Sequence, residues 1–221
     1  MCGRFAITLP NDAMAQLFSA RPANALPVVP NFNVCPTCQV HVVRAGETGR
    51  QLDALRWGFL PHWYKSKTAG PLLINARAET LAEKPAFRVA CRERRCLIVA
   101  SGFYEWTKTE SGDRLPWYIF RKDGAPIAFG GVWQDWGPEG DQKGTCAIVT
   151  TPANRNLGII HHRMPLIVEP ENWPLWLGEV GKGAARLLSP GQEDILGFHR
   201  VDPGVNSNRA SGPTLVDPIT G

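Results

Sequence analysis

Short apolar runs separated by glycine, proline and charged residues recur along the chain, a pattern typical of β-strands joined by turns. The pattern predicts strands over residues 3–8, 40–44, 52–57, 72–74, 96–101, 103–108, 117–121, 127–133, 145–150 and 198–201. Residues 46–49, Ser111-Gly112-Asp113 and Lys122-Asp123-Gly124 have the composition of turns between consecutive strands. Strands joined in this way pair antiparallel.

Residues 84–95 form the clearest amphipathic helix, with apolar positions at helical spacing. Shorter helices are predicted near residues 10–18, 152–157, 171–177 and 183–188. The first of them has Met14, Leu17 and Phe18 on one face. The proline-rich residues 21–36 are predicted to be irregular. In the 84–95 helix, Phe87, Ala90 and Cys91 share one face, and Arg88, Arg92 and Arg95 lie on another. These arginines are either a phosphate-tracking surface or a solvated face.

Together these elements predict an α+β fold: a single domain over residues 1–221, with a curled, largely antiparallel, barrel-like β-sheet and helices packed outside. Hydrophobic residues make up 43% of the chain and charged residues 20%, which favours a packed core over disorder. The formal charge of +4 is compatible with a polyanionic partner and does not by itself establish one.

The chain has no signal-peptide pattern and no apolar run long enough to span a membrane, which predicts a soluble cytoplasmic protein without membrane association. Six cysteines in such a protein are expected to be free thiols. Cys35 and Cys38 have CxxC spacing, but no second CxxC or histidine pair accompanies them. We therefore expect no metal and no cofactor.

Cys2 is the first candidate for chemistry. Removal of Met1 would give this residue a free α-amine beside its thiol, and the two reference pKa values lie near 8, so both groups are usable nucleophiles. An aldehyde that meets both groups can form an imine and then close to a five-membered thiazolidine. The alternative is that Cys2 is an incidental small residue at the start of a strand.

Glu105 lies in an aromatic and apolar strand, where loss of hydration would raise its pKa towards that of a general acid at neutral pH. A solvent-facing strand position is the alternative. His161 and His162 follow an apolar segment, and on extended backbone they would face opposite ways, so at most one would enter a site. A structural role for both histidines stays open.

Asn75 and Arg77 are two residues apart at a predicted strand end, so they would share a face and offer donors to a phosphate or to the N-terminal residue. A turn-forming Asn and a surface Arg are the alternative. Aromatic residues such as Trp63 and Trp106 alternate with basic residues, which suits stacking on unpaired bases. Most tryptophans are nevertheless expected in the core.

The combination of motifs resembles the SOS-response-associated peptidase (SRAP) family, the abasic-site processing proteins, over essentially the whole chain. The residues that carry the resemblance are Met1-Cys2-Gly3-Arg4-Phe5, Phe32-Asn33-Val34 with Pro36, Trp57-Gly58-Phe59 with Pro61, Ile74-Asn75-Ala76-Arg77-Ala78-Glu79-Thr80, Arg95-Cys96-Leu97, Gly102-Phe103-Tyr104-Glu105-Trp106, Ile160-His161 with Arg163-Met164-Pro165, and Val205-Asn206-Ser207.

The resemblance implies covalent capture of abasic sites in single-stranded DNA, with self-removal of Met1 and an associated DNA lyase activity. It implies that Cys2 is the cross-linking nucleophile, Asn75 positions it, Glu105 is the acid–base group and His161 is the partner of Glu105. It also implies a monomer that associates with the nucleoid when bound to damaged DNA, without an obligate protein partner. The resemblance further implies that the residues that contact DNA are Arg4, Pro36, Trp63, Arg77, Trp106 and Arg163.

Tyr64 stands where the family often has a second tryptophan, and Cys35 with Cys38 is not part of its pattern. The main rival is an N-terminal-nucleophile amidohydrolase like the glutamine amidotransferases, whose chains also begin Met-Cys-Gly; there the amine serves as base for the thiolate. A non-enzymatic single-strand binding module is the third hypothesis.

Overall fold

The computed structural model describes residues 2–219, and within this range strands and short helices alternate along the chain. The strands are β1 (Phe5–Ile7), β2 (Ala20–Pro22), β3 (Asn31–Val34), β4 (Gln39–Gly46), β5 (Gly49–Trp57), β6 (Asn75–Arg77), β7 (Arg95–Ala100), β8 (Gly102–Lys108), β9 (Arg114–Arg121), β10 (Ile127–Trp136), β11 (Lys143–Pro152), β12 (Arg163–Pro165) and β13 (Leu196–Arg200). The α-helices are α1 (Asn11–Leu17), α2 (Arg88–Glu93), α3 (Arg155–Gly158) and α4 (Trp173–Leu177).

The strands belong to two sheets. The smaller sheet has the antiparallel order β13-β9-β8-β1-β3, and the larger has the order β12-β11-β10-β7-β4-β5-β2. Strand β11 also pairs in parallel with β5 and β6, so the larger sheet returns on itself. The sheets are partly ring-like without forming a true barrel, and the α+β prediction with a curled, largely antiparallel sheet is confirmed.

The main core lies between the sheets and is rich in aromatic side chains. Phe5 contacts Trp57 at a ring-centroid distance of 5.1 Å, and Phe103 contacts Phe129 at 5.7 Å. All four rings are almost completely buried. Burial of one such side chain contributes about 1.5–3 kcal/mol to the free energy of unfolding, so this cluster stabilises the packing of the two sheets.

A second, smaller core covers the other face of the smaller sheet. Because side chains alternate along a strand, Phe103 of β8 points into the main core while Tyr104 points away from it. Tyr104 packs with Tyr118 and with Val205 and Leu215 from the C-terminal turns. Gly102 permits this packing, because a Cβ at that position would lie 2.4 Å from the Tyr118 ring. Strand β8 is therefore enclosed on both faces.

The strand predictions around residues 40–57 are confirmed, since β4 and β5 pair from Gln39 with Arg56 to Gly46 with Gly49. Three other predictions are wrong. Residues 21–36 are not wholly irregular, because β2 and β3 lie there. The Lys122–Gly124 turn does not form a hairpin, because β9 and β10 belong to different sheets. The strand expected at 72–74 lies at Asn75–Arg77 instead.

The helix expected over residues 84–95 is shortened to Arg88–Glu93. Pro85 disfavours helical backbone at the residue before it, and the chain makes turns until Phe87. The apolar face is confirmed, with Phe87 and Ala90 buried. Arg95 does not share the outer face, because it begins β7 and its guanidinium donates to Cys91 O and Trp176 O at 2.8 and 2.5 Å.

Helix α1 also departs from its predicted face. Met14 and Phe18 are buried as expected, but Leu17 is 44% exposed, because the helix is only two turns long and lies at the edge of the larger sheet. No helix in residues 2–219 is long and apolar enough to cross a membrane.

Candidate active site

Strand β6 brings Asn75 to the start of the described chain. It pairs in parallel with β11, with Ile148 opposite Asn75 and Thr150 opposite Arg77. The alternation of side chains buries Ala76 and turns Asn75 and Arg77 to the other face, as expected from the sequence. From this position the Asn75 side-chain amide donates to the Cys2 carbonyl oxygen at 3.0 Å. The prediction that these two residues lie together is confirmed.

Cys2 is 1% exposed, and its Sγ lies 3.9 Å from Arg4 O. Burial raises the pKa of this thiol, and the nearby charge of Glu105 raises it further. The sulfur is therefore protonated at neutral pH. A reaction at sulfur must include a base that accepts this proton.

The register of β1 against β8 explains why Cys2 lies near Glu105. Phe5 pairs with Phe103, and the Tyr104 amide donates to Arg4 O at 2.9 Å. Continued from Phe5 by three residues, the same register would place Cys2 opposite Trp106, the residue after Glu105. The charge of Glu105 raises the pKa of the Cys2 thiol, which agrees with this adjacency.

Glu105 is 4% exposed and shares a strand face with Phe103. Burial is the main cause that raises the pKa of its carboxyl above the ordinary value, so the neutral acid persists to higher pH than in water. The sequence-based expectation of a desolvated carboxyl is confirmed, and the solvent-facing alternative is wrong. A buried carboxyl of this kind is a candidate proton donor.

His161 lines two cavities together with Glu105, so these two residues are neighbours in the site. The Arg163 backbone amide donates to His161 Nδ1 at 3.0 Å, which leaves the proton of the neutral ring on Nε2. Burial lowers the pKa of His161, so the ring is neutral at pH 7.

His162 does not face away from His161 as the sequence suggested. The two rings stack with centroids 4.4 Å apart, because this segment is a bend after α3 and is not extended. His162 is exposed, and His161 is the histidine of this pair that lines the two cavities.

Two of the predicted DNA-binding arginines hold protein groups: Arg4, which is buried, and Arg163, which is half-buried. Arg4 donates to Asn33 Oδ1 at 2.7 Å, to Val205 O at 2.9 Å and to Asn208 Oδ1 at 2.6 Å. It thereby ties the N-terminal strand to β3 and to the C-terminal turns. Sequence reasoning missed these partners because they are far apart in the chain.

Arg163 is the second of these arginines. It donates to Thr150 O at 2.6 Å and forms an ion pair with Glu79. These contacts fix the backbone on which His161 lies, because the two residues are only two positions apart.

Arg77 and Trp106 lie at the surface of the site. Arg77 is exposed, and Trp106 is half-buried with its indole N–H donating to Asn206 Oδ1 at 2.6 Å. The Arg4 and Arg114 guanidinium carbons lie 5.9 and 4.9 Å from the Trp106 ring centroid. These contacts fix the indole at the edge of the site.

Pro36 and Trp63 lie in two connecting segments. Pro36 is half-buried in the turn between β3 and β4, which is anchored by Thr37 N donating to Trp57 O at 2.7 Å. Trp63 is 48% exposed between β5 and β6, and its ring meets those of His62 and Tyr64 edge-on. An indole at this exposure has room for a stacking partner.

A groove of about 280 Å³ opens beside the acid and is lined by Glu105, Trp106, Lys108, Arg114 and His161. Sequence reasoning did not single out Lys108 and Arg114. The Ser111-Gly112-Asp113 turn could have indicated them, because an antiparallel hairpin around this turn places Lys108 opposite Arg114. The groove therefore has an acidic inner end and a basic outer end.

Within residues 2–219, no group of three or more His, Cys, Asp or Glu side chains is placed to hold a metal ion. Cys35 and Cys38 are free thiols. The amide of Cys38 donates to Cys35 O at 3.3 Å, so the pair spans a tight turn.

The order of the motifs and the Cys2, Asn75 and Glu105 cluster can be compared with known proteins. The family model of the SOS response associated peptidases (SRAP) matches residues 1–208. The chain belongs to the SRAP family. The resemblance inferred from the sequence motifs is thereby confirmed.

The chain matches several SRAP-family relatives over nearly its whole length. It is 35% identical to the abasic site processing protein YoqW of Bacillus subtilis, over 98% of this chain and 99% of that protein. It is 30% identical to the abasic site processing protein YedK of Escherichia coli, over 99% and 100%. The abasic site processing protein HMCES of Pongo abelii is also 30% identical, over 99% of this chain and 76% of the relative.

Two solved structures share the fold of this chain. A protein from Bacteroides thetaiotaomicron superposes with a TM-score of 0.87 over 99% of this chain and 100% of its own, at 23% identity. A phage-related protein from Bordetella bronchiseptica superposes with a TM-score of 0.71 over 90% and 94%, at 26% identity. The first of these similarities concerns the fold alone.

Proposed function

We propose that this protein processes abasic sites in single-stranded DNA by capturing them covalently on Cys2 after Met1 has been removed. The names of its relatives support a role at abasic sites. The observation that carries the proposal is the cluster itself, in which the Asn75 amide holds the Cys2 carbonyl at 3.0 Å next to a buried acid. Met1 lies outside the described residues.

The first chemical step is opening of the sugar ring. An abasic sugar is mainly a closed hemiacetal, and its aldehyde appears when the ring oxygen gains a proton and the bond to C1′ breaks. Glu105 is the proton donor, because burial raises the pKa of its carboxyl and the neutral acid persists to higher pH than in water. The proton of the C1′ hydroxyl leaves as the carbonyl forms.

The α-amine of Cys2 then attacks C1′ and water leaves, which gives an imine. The thiol adds across the C=N bond, so that sulfur bonds to carbon and the thiol proton ends on nitrogen. Because burial raises the pKa of the thiol, a base must relay this proton, and Glu105 in its ionised form is beside it. His161, neutral with its proton on Nε2, is the partner that shares protons with Glu105.

Two outcomes compete at the imine. Loss of a proton from C2′ cleaves the strand by β-elimination, which is the lyase reaction, whereas ring closure gives a stable thiazolidine. Asn75 limits the motion of the Cys2 backbone through its hydrogen bond to the carbonyl. Good positioning of an intramolecular nucleophile corresponds to effective molarities of about 10⁵–10⁸ M, so ring closure dominates.

The proposal assigns DNA contacts to both the surface and the buried residues of the site. Arg77 and Trp106 face outward and meet the strand first. Trp63 provides a stacking platform and Pro36 a wedge beside the lesion. Arg4 and Arg163 contact the strand where it passes over the Cys2 cluster.

The wider assignment is a monomer with a coupled self-processing reaction. The protein associates with the nucleoid when bound to damaged DNA. Self-removal of Met1 is hydrolysis of the Met1–Cys2 peptide bond at the same site, with water as the second reactant. The released Cys2 amine is then available for the aldehyde.

Intact-mass spectrometry of the purified protein mixed with an abasic single-stranded oligonucleotide tests the proposal. The expected product has the mass of the Met1-free protein plus the oligonucleotide minus one water, and it survives heating. Cys2→Ala keeps the amine, so strand cleavage continues while the heat-stable adduct is lost. Cys38→Ala is the matched control, because that exposed cysteine lies outside the cluster.

An N-terminal extension that blocks the Cys2 amine provides a second test, and we expect it to prevent adduct formation. A full adduct on a protein that keeps its extension, or a heat-stable adduct with Cys2→Ala, would contradict the thiazolidine. Release of ammonia from glutamine, without reaction at abasic DNA, would favour the amidohydrolase alternative.

A further inference from the structure

Two cations face each other where the β8–β9 hairpin begins to turn. Lys108 and Arg114 are directly opposite in the antiparallel register, and both are exposed. Like charges in this position destabilise a strand pair. In the part of the chain that the structure describes, neither residue forms an ion pair, and the neighbouring Asp113 carboxylate accepts from Ser111 Oγ at 2.7 Å. The turn between the two cations also contains Glu110 and Asp113, but neither carboxylate forms an ion pair with Lys108 or Arg114 in the part of the chain that the structure describes.

The guanidinium of Arg114 is held in place although it is exposed. It lies 4.9 Å from the centroid of the Trp106 ring, and that ring is fixed by its hydrogen bond to Asn206. The Asn206 amide also approaches Arg114 O at 3.4 Å. A guanidinium that is already oriented by stacking loses less conformational entropy on binding an anion than a freely rotating one does. Preorganised anion-binding sites share this property.

The cations lie on the wall of the groove that Glu105 and His161 also line. A sugar whose C1′ is at Cys2 carries a phosphodiester on its 3′ oxygen and another on its 5′ oxygen. One of these groups must therefore lie close to Glu105. The basic end of the groove is the part of this wall that offers an anion two positive charges.

We propose that Lys108 and Arg114 form a phosphate-binding subsite for the phosphodiester next to the abasic sugar, on the strand that carries the lesion. The planar guanidinium binds two phosphate oxygens, and the ammonium adds a point charge. The proposal deepens the proposed function, since it rests on the lesion lying at Cys2. It adds a specificity element, because the subsite selects a sugar within a strand over a free sugar.

Noncovalent binding tests the subsite without the cross-linking chemistry. The probe is a single-stranded oligonucleotide with a tetrahydrofuran abasic analogue, which has no aldehyde. Two further probes carry one uncharged methylphosphonate linkage, either 3′ or 5′ of the analogue. The proteins are the wild type, Arg114→Gln, Arg114→Lys, the double variant with Lys108→Gln, and Lys122→Gln as the matched control.

Lys122 is a suitable control because it is exposed and follows the far end of β9. At 3.3–3.4 Å per residue it lies roughly 25 Å from Arg114. Its removal changes the net charge of the protein by the same amount as Arg114→Gln. A general electrostatic effect would therefore weaken both variants equally.

We expect Arg114→Gln to weaken binding about threefold to tenfold and to reduce the salt slope by about 0.7. The double variant should reduce the slope by about 1.4, Arg114→Lys should restore most of it, and Lys122→Gln should bind like the wild type. One methylphosphonate should weaken the wild type while having no further effect on Arg114→Gln. Thermal unfolding of each variant checks that the fold is retained.

Equal behaviour of Arg114→Gln and Lys122→Gln would overturn the subsite. So would an Arg114→Gln protein that stays as sensitive as the wild type to both uncharged linkages. A failure of the thiazolidine chemistry leaves these binding results unchanged, because the probe cannot react. Conversely, if Arg114→Gln binds the probe normally and also forms the covalent adduct normally, the subsite proposal is wrong and the proposed function still holds.

Discussion

The interior and the rim of the site use the same kind of residue in opposite ways. In the interior, Arg4 is buried and its guanidinium donates to three protein acceptors. At the rim, Arg77 and Arg114 are exposed, and neither forms an ion pair with any carboxylate that the structure describes. The interior arginine joins the N-terminal strand to β3 and the C-terminal turns, so its removal should affect the fold more than removal of a rim arginine.

This difference separates two consequences of substitution. Removal of an interior side chain leaves buried acceptors without donors, which lowers the free energy of unfolding. Removal of a rim side chain leaves no buried hydrogen-bonding group without its partner, so the free energy of unfolding should hardly change. The affinity for DNA should fall. The substitutions below test this separation.

The largest effect is expected for Glu105→Gln, which keeps the shape of the side chain and removes the acid. We expect the rate of adduct formation to fall about 10²- to 10⁴-fold, the usual contribution of a general acid–base group. The wild-type rate should decline as pH rises through the raised pKa of Glu105, and the variant should lack this decline. Exposed Glu110→Gln is the control and should react like the wild type.

We also predict a pH-dependent difference in stability between the wild type and Glu105→Gln. Burial raises the pKa of Glu105 in the folded state, so the folded protein binds this proton more tightly than the unfolded chain. The resulting stabilisation is complete below the unfolded pKa of about 4.3 and is lost as pH rises through the folded pKa. Glu105→Gln should therefore gain stability relative to the wild type over that window, measured by urea unfolding. A constant difference would contradict the burial argument.

Arg4→Ala is expected to have the next largest effect, and that effect is on folding. Asn33 Oδ1, Val205 O and Asn208 Oδ1 would lose their donor. A cost of about 2–4 kcal/mol is expected, or a fall in melting temperature of about 5–15 °C for a domain of this size. Arg77→Ala is the matched control, expected within about 0.5 kcal/mol of the wild type. Equal destabilisation by both variants would remove the distinction between interior and rim.

Arg77→Gln is expected to act on DNA alone. Because Arg77 is exposed, its loss should weaken binding of abasic single-stranded DNA about threefold to tenfold and lower the salt slope by about 0.7. Fluorescence anisotropy at several salt concentrations measures both quantities. An unchanged slope would mean that Arg77 contacts no phosphate.

The smallest effect is expected for the double variant Arg88→Gln with Arg92→Gln. Both residues are exposed on α2, but this helix packs against β7 and β10 and lines neither cavity that holds Glu105. We expect no change in the salt slope, which makes these residues a solvated face. A fall of about 1.4 would restore the phosphate-tracking hypothesis.

Much of the fold was predictable because its signals are local. The β4–β5 hairpin has a glycine turn between two alternating runs, and the sequence located it within a few residues. Strands β2 and β3 were missed because they are short and lie among prolines. Helix α2 was made too long because the periodic pattern continued through Pro85, whose backbone restriction prevailed.

The candidate site divides in the same way. Glu105 could be read as a desolvated acid from its aromatic neighbours, and its burial confirms this. The sequence placed Asn75 at a strand end with its amide offered to a phosphate or to the N-terminal residue, and the structure selects the second, through the contact with the Cys2 carbonyl. The acceptors around Arg4 come from β3 and from the C-terminal turns, which are far from Arg4 in the chain, so no local pattern indicated them.

The bond between Arg4 and the C-terminal turns also has a consequence for the order of folding during synthesis. Val205 and Asn208 follow Arg4 by 201 and 204 positions, so the Arg4 guanidinium lacks these two acceptors until that part of the chain has left the ribosome. The surroundings of the first strand are therefore completed late in synthesis.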